Sequence, residues 1–150
     1  MWSGEGNIHN QLKVPYLIEL LIGYAYLKQN YLKLLGLKHL TKLKKKNKGN
    51  LKLLKAVDNF ILDLKKAVWK NKDDVINDRK DADCVHNDGY YFFNINIHRT
   101  MALVEYNESD DLESGVANVI WVGSHDDYER IFKNNKNTIS AWLKDRGYIE

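Results

Sequence analysis

Tyr90-Tyr91-Phe92-Phe93-Asn94-Ile95-Asn96-Ile97 is the stretch on which the fold turns. Taken in steps of two, Phe93, Ile95 and Ile97 fall on one face and Asn94, Asn96 and His98 on the other. That alternation predicts a strand with one face in a core and the other in water. Two further strand-like runs follow at 100–106 and 116–122, and Asn87-Asp88-Gly89 supplies a turn just ahead of the first. A meander of antiparallel strands is expected, with the acidic residues 108–115 as an exposed tip between its last two members.

Upstream of this sheet the apolar period changes. Leu54, Val57, Ile61, Leu64 and Val68 recur at spacings of three and four, predicting a helix over 51–69 with Lys52, Lys55, Lys65 and Lys66 off its apolar stripe. Residues 37–46 alternate Leu with Lys in a helix-compatible way, Asn47-Lys48-Gly49-Asn50 interrupts them, and residues 31–36 read as a short edge strand. Residues 70–89 are polar and read as a loop. Downstream, Gly123-Ser124 predicts a tight turn and 126–132 a helical turn. Thr138 is expected to cap a last helix held by Trp142 and Leu143. Helices, then strands, then a small helix make an α+β fold, with N-terminal helices laid on one face of a small antiparallel sheet.

A chain of 150 residues suits one domain with a single core. Residues 1–31 are expected to be an extension, polar up to Pro15 and then a short apolar helix over 16–27, with the domain proper at 32–150. Glu19, Lys28, Gln29, Asn30 and Lys33 interrupt the apolar run, so no membrane span is expected. No Lys or Arg precedes Lys13, which argues against a secretory signal. The single cysteine, Cys84, allows no intramolecular disulfide and is compatible with a reducing compartment, so a cytoplasmic location is expected.

The net charge of +3 conceals a division along the chain. Residues 28–80 hold 16 Lys or Arg against 5 Asp or Glu, whereas residues 81–150 hold 6 against 13. Such a basic block attracts polyanions, of which nucleic acid is the commonest; the plainer reading is a solvated lysine-rich helix surface.

The sequence contains no phosphate-cradling glycine loop and no nucleophile elbow. Cys84 and His86 lack a second ligand pair, so neither a metal nor a cofactor is expected. Chemistry-bearing residues gather instead around the strand ends: His98 and Arg99 at the first turn, and His125, Asp126, Asp127, Tyr128 and Arg130 after the last strand. Cutting RNA through its own 2′-hydroxyl needs a proton carrier near neutrality, which histidine supplies, and a cation for the crowded phosphate, which arginine supplies bidentately. His125, Tyr128, Arg99 and Arg130 are a chemically sufficient set. Each also has a plainer reading: a surface or capping histidine, a tyrosine packed at the core edge, and two exposed ion-pairing arginines.

Residues 32–132 resemble the HigB toxins of type II toxin–antitoxin systems, in the RelE-like messenger-RNA interferase group. The matching pieces are Leu34-Leu35-Gly36-Leu37-Lys38-His39-Leu40, Ala67-Val68-Trp69-Lys70-Asn71-Lys72-Asp73-Asp74-Val75, Ala82-Asp83, Phe92-Phe93-Asn94-Ile95 and Trp121-Val122-Gly123-Ser124-His125-Asp126-Asp127-Tyr128. The resemblance implies a RelE-like fold and a ribosome-dependent endoribonuclease that cuts messenger RNA and is silenced by a HigA-like helix-turn-helix antitoxin. His125 and Tyr128 fall on the family's motif after the last strand, and Arg99 on a position that is usually basic. Met101 stands where relatives carry an arginine, which leaves phosphate binding to Arg99, with Arg130 beside it. RNA and ribosome contacts are expected from Lys42, Lys44, Lys45, Lys46, Lys52, Lys55 and His98. The alternative is a non-catalytic protein of the same fold that binds RNA or a partner.

Overall fold

The computed structural model describes residues 18–21, 32–106 and 115–150. The elements from residue 32 onward are, in chain order, β1 (Lys33–Leu35), α1 (Leu37–Lys46), α2 (Leu51–Lys66), α3 (Lys72–Asp78), β2 (Asp83–His86), β3 (Tyr90–Ile95), β4 (His98–Glu105), β5 (Val116–Ser124), α4 (His125–Phe132) and α5 (Lys136–Asp145). The strands form one sheet in the order β1-β5-β4-β3-β2. This is an α+β fold, consistent with the RelE-like architecture. One pair departs from the expected all-antiparallel sheet: β1 lies parallel to β5, Lys33 opposite Val116 and Leu35 opposite Asn118. No hairpin links these two, so nothing in the connection forces them antiparallel.

The expected half-buried strand is corrected. Tyr90, Tyr91, Phe92 and Phe93 are all buried, because helices cover both faces of the sheet rather than one. On one face Tyr91, Phe93 and Ile95 pack with Leu40 of α1 and with Val57 and Phe60 of α2. On the other, Tyr90, Phe92 and Met101 pack with Tyr128 and Phe132 of α4 and with Ile139 and Leu143 of α5. Strand β3 stops at Ile95 and the chain reverses through Asn96 (φ 56°), which leaves Ile97 in water instead of in the core.

Helix α2 ends at Lys66, three residues before its expected end, where Ala67 turns extended. Its buried stripe is Leu53, Val57, Phe60 and Leu64; Leu54 and Ile61 are half-buried and Val68 is exposed, since the helix rotates to seat Phe60 against Phe93, ring centroids 5.6 Å apart. The segment at 70–89 is not the expected loop. Asn71 accepts from the backbone N–H of Asp74 and caps α3, whose first turn carries Asp73 and Asp74 as the helix dipole favours. Strand β2 then pairs with β3 at the sheet edge. Each of these short elements buries one valine, Val75 and Val85, too little apolar signal to stand out in the sequence.

Asn135, not Thr138, caps α5: its extended backbone lets Oδ1 accept from the N–H of Asn137 and of Thr138, which lies one turn inside. Within the apolar helix expected over 16–27, Ile18, Glu19, Leu20 and Leu21 are helical and exposed. The rest of that segment, and the acidic tip at 108–115 except Gly115, lie outside the described residues. Among the described residues no helix is long and apolar enough to cross a membrane.

Gly36 joins β1 to α1 with φ 75°, and a Cβ there would run into the backbone carbonyl of Val119. Gly36→Ala is therefore expected to lower stability by more than the ~1–2 kcal/mol that left-handed strain alone costs. Gly49→Ala, where a Cβ meets nothing within 4 Å, should stay within ~0.5 kcal/mol of wild type. Urea unfolding of the two variants side by side checks this.

Candidate active site

The β4–β5 register decides which residues meet. His98 lies opposite Ser124 and Arg99 opposite Gly123, so the two groups of polar residues separated by the β4–β5 hairpin arrive at the same end of the sheet. Gly123 and Ser124 do not form the expected tight turn but end β5, which passes directly into α4. The backbone N–H of His125 pins this junction to the start of β4 by donating to the carbonyl of Ile97 at 3.2 Å. Ser124 then starts α4: its Oγ accepts from the N–H of Asp127 at 3.0 Å, with Asp126 and Asp127 in the first turn.

Alternation along β4 sends His98 and Arg99 to opposite faces of the sheet. On the α4 face the Arg99 guanidinium lies 4.3 Å from the centre of the Tyr128 ring and 5.8 Å from that of Phe92. Its Nε donates to Oδ1 of Asn94 at 3.1 Å. The His125 ring stacks with Tyr128 at 6.1 Å and 23°. Three of the four expected catalytic residues thus form one cluster, with Arg99 and His125 both touching Tyr128.

The fourth expected residue is held elsewhere. Arg130 is an exposed side chain paired with Asp127 one helical turn back, at 3.0 Å. That pairing and the Ser124 hydroxyl keep the Asp127 carboxyl below its ordinary range. His125 Nε2 stands 3.7 Å from Glu129, and the histidine side chain is 61% exposed, open to an incoming substrate.

Tyr128 itself is 1% exposed, so a base cannot stack on it as the expected substrate-stacking role requires. Its hydroxyl donates to Oδ1 of Asn134 at 2.9 Å. Burial pushes its pKa up, against the opposing pull of Arg99, and the phenol stays neutral. Tyr128 is therefore a platform for Arg99 and His125, with a cation–π contact of the kind worth ~0.5–2 kcal/mol. Met101 is fully buried among Phe92 and the other residues of the α4 core, facing no solvent in which a phosphate could sit.

Two residues of the cluster were not singled out by their own chemistry in the sequence. Asn94 orients Arg99, and is itself fixed: its backbone N–H donates to Asp81 and its carbonyl accepts from Arg79. Asn134 receives the Tyr128 hydroxyl from a left-handed backbone (φ 47°). Asn94 falls within the Phe-Asn-Ile piece; Asn134 carried no signal of its own in the sequence.

The expected RNA-binding residues divide. On the face opposite the Arg99 cluster, Lys42, Lys46 and His39 of α1 line a cleft of about 310 Å³ with His98, Ser124 and Asp127. Lys44 is bound to Asp58 at 2.6 Å. Lys45, Lys52 and Lys55 are exposed and outside the cleft lining. Among the described residues no cluster of three or more His, Cys, Asp or Glu could hold a metal ion.

A family model described as the HigB toxin, the RelE-like toxic component of a toxin–antitoxin system, matches residues 54–131. The match contains His98, Arg99, His125, Tyr128 and Arg130, and begins after α1 and its lysines. No curated protein matches the chain closely enough to count as a relative.

Burial lowers the pKa of His98, with Asp127 opposing, and burial together with Lys38 and Lys42 lowers that of His39. For both, the unfolded chain binds the proton more readily, so their contribution to stability is present above the ordinary histidine value of 6.5 and lost as pH falls below it. Asp127 contributes with the same sign only at lower pH, below its unfolded value of 3.8. The urea midpoint is expected to fall between about pH 7 and about pH 5. The fall should be smaller in His98→Gln, measured at constant ionic strength.

Proposed function

This chain belongs to the HigB family, the RelE-like toxic component of a toxin–antitoxin system, and on that footing we propose that it is an endoribonuclease that inhibits translation by cutting messenger RNA. Its partner is an antitoxin; a HigA-like helix-turn-helix protein is the form we propose. The observation that carries the reading is the meeting of Arg99 and His125 on Tyr128 at the end of the sheet.

In the proposed reaction the 2′-oxygen of the RNA forms a bond to the adjacent phosphorus while the bond from phosphorus to the 5′-oxygen breaks. The products are a cyclic phosphate and a 5′-hydroxyl. His125 takes the 2′-hydroxyl proton, and the leaving oxygen gains one from the imidazolium or from water. Arg99 neutralises charge on the phosphoryl oxygens, held in aim by Asn94 and the Tyr128 ring. Arg130 is tied to Asp127 and would have to leave that pair to assist. Ribosomal RNA would be gripped by the exposed Lys45, Lys52 and Lys55 of α1 and α2, and the ribosome would supply the remaining geometry. The site of action in this reading is the cytoplasm, and residues 32–150 form the toxin domain with 1–31 as an extension.

Met101 favours one alternative. With an apolar, buried residue where the resemblance leads one to expect arginine, Arg99 stands over Tyr128 without a second guanidinium among the described residues, as a non-catalytic RNA- or partner-binding member of the fold would permit. Cleavage of a messenger in a reconstituted translation reaction separates the two. His125→Ala is expected to slow cutting ~10²-fold or more, Arg99→Ala ~10²–10³-fold, and Arg130→Ala much less than either. Intact messenger with the wild-type protein, or equal cutting by wild type, His125→Ala and Arg99→Ala, would refute the assignment.

A further inference from the structure

The α1 cleft lies across the sheet from the Arg99 cluster, and its lining is unlike an ordinary lysine-rich surface. His39, Lys42 and Lys46 recur at spacings of three and four, which puts them on one side of α1. They face His98 and Ser124 at the end of the sheet, enclosing about 310 Å³. Neither Lys42 nor Lys46 makes an ion pair within the described residues, whereas Lys44, on the same helix, is taken up by Asp58. The one carboxylate in the lining, Asp127, is held by Arg130. His98 lines the same wall, and its buried Nδ1 has no hydrogen-bond partner among the described residues. Burial, and after it the charges of Lys38 and Lys42, lower the pKa of His39, so the charge of Lys42 is felt at this wall.

We propose that this cleft is a second phosphate-binding site, which holds a backbone phosphate of the same RNA on the face of the sheet opposite the Arg99–Tyr128–His125 cluster. The inference rests on the RNA reading above for the identity of the strand. Neighbouring residues His98 and Arg99 point to opposite faces at one end of the sheet, so a strand bent around that end meets both sites in succession. Lys42 and Lys46 act as point charges toward the phosphate, and the two imidazoles as hydrogen-bond partners of its oxygens.

The test uses the full chain, histidine-labelled for NMR, and a 2′-O-methyl RNA oligonucleotide that cannot be cut because the attacking hydroxyl is blocked. The ring signals of His39 and His98 are expected to shift on addition and to saturate, in wild type and in Arg99→Ala. In Lys42→Ala/Lys46→Ala, both exposed side chains, these shifts are expected to vanish. The slope of log affinity against log salt should flatten by about 0.7 for each lysine removed. An oligonucleotide that moves His125 but leaves His39 and His98 unmoved overturns the cleft site while sparing the catalytic reading. Shifts of His39 and His98 with poly-glutamate but not with RNA overturn it in favour of an acidic peptide. Shifts of His39 and His98 with His125 unmoved, and no cleavage of messenger, uphold the cleft and remove the catalytic reading instead.

Discussion

Four consecutive aromatic side chains, Tyr90 to Phe93, are withdrawn from water on β3, and a strand can do this only if both faces of its sheet are covered. That requirement organises the rest. Helices α1 and α2 must cover Tyr91 and Phe93, and the chain must return after β5 as α4 and α5 to cover Tyr90 and Phe92. Because α4 starts at the very end of β5, the helix that closes the second core also delivers His125 and Tyr128 to the end of β4. The ring of Phe92 touches Tyr128 at 4.9 Å, edge to face, so the floor of the candidate site is part of the core itself.

Much of this architecture was legible in the sequence. The α+β order, the three long strands, both N-terminal helices and the short helices after Ser124 follow from periodicity and turn residues. The second covered face was not. In the run Tyr90-Tyr91-Phe92-Phe93, alternation of polar and apolar residues is absent, and the reading relied on Asn94, Asn96 and His98 farther along. Of those residues only Asn94 lies in β3, Asn96 makes the reversal and His98 opens β4, so they mark the end of the strand rather than a solvent face along its length. Helix α3 and strand β2 were hidden for a simpler reason, each resting on one buried valine and on polar contacts that periodicity does not register.

The site was legible in its residue types and not in its register. His125, Tyr128 and Arg99 could be named from the sequence, but their meeting depends on the bulge between Met101 and Ala102 and on Gly123 facing Arg99. A one-residue slip would have turned Arg99 away from Tyr128. Asn94 explains more of the site than its motif suggested. Its main chain is fixed by Asp81 and Arg79, Arg79 in turn is paired with Asp63 of α2, and its side chain holds Arg99. A polar chain of contacts thus runs from the α2 surface to the guanidinium beside Tyr128. The same contacts account for why Arg79 tolerates a side-chain exposure of only 17%.

The sheet is a wall shared by two cores, and this bears on how the molecule comes apart. A truncation in α2 or α5 thins one side, whereas any loss of alignment in β3 releases aromatic rings on both sides at once. Both cores draw on the same strands, so they are expected to unfold together. Trp69 sits in one core while Trp121 and Trp142 border the other, so indole signals from the two sides of that wall are tied to a single cooperative transition.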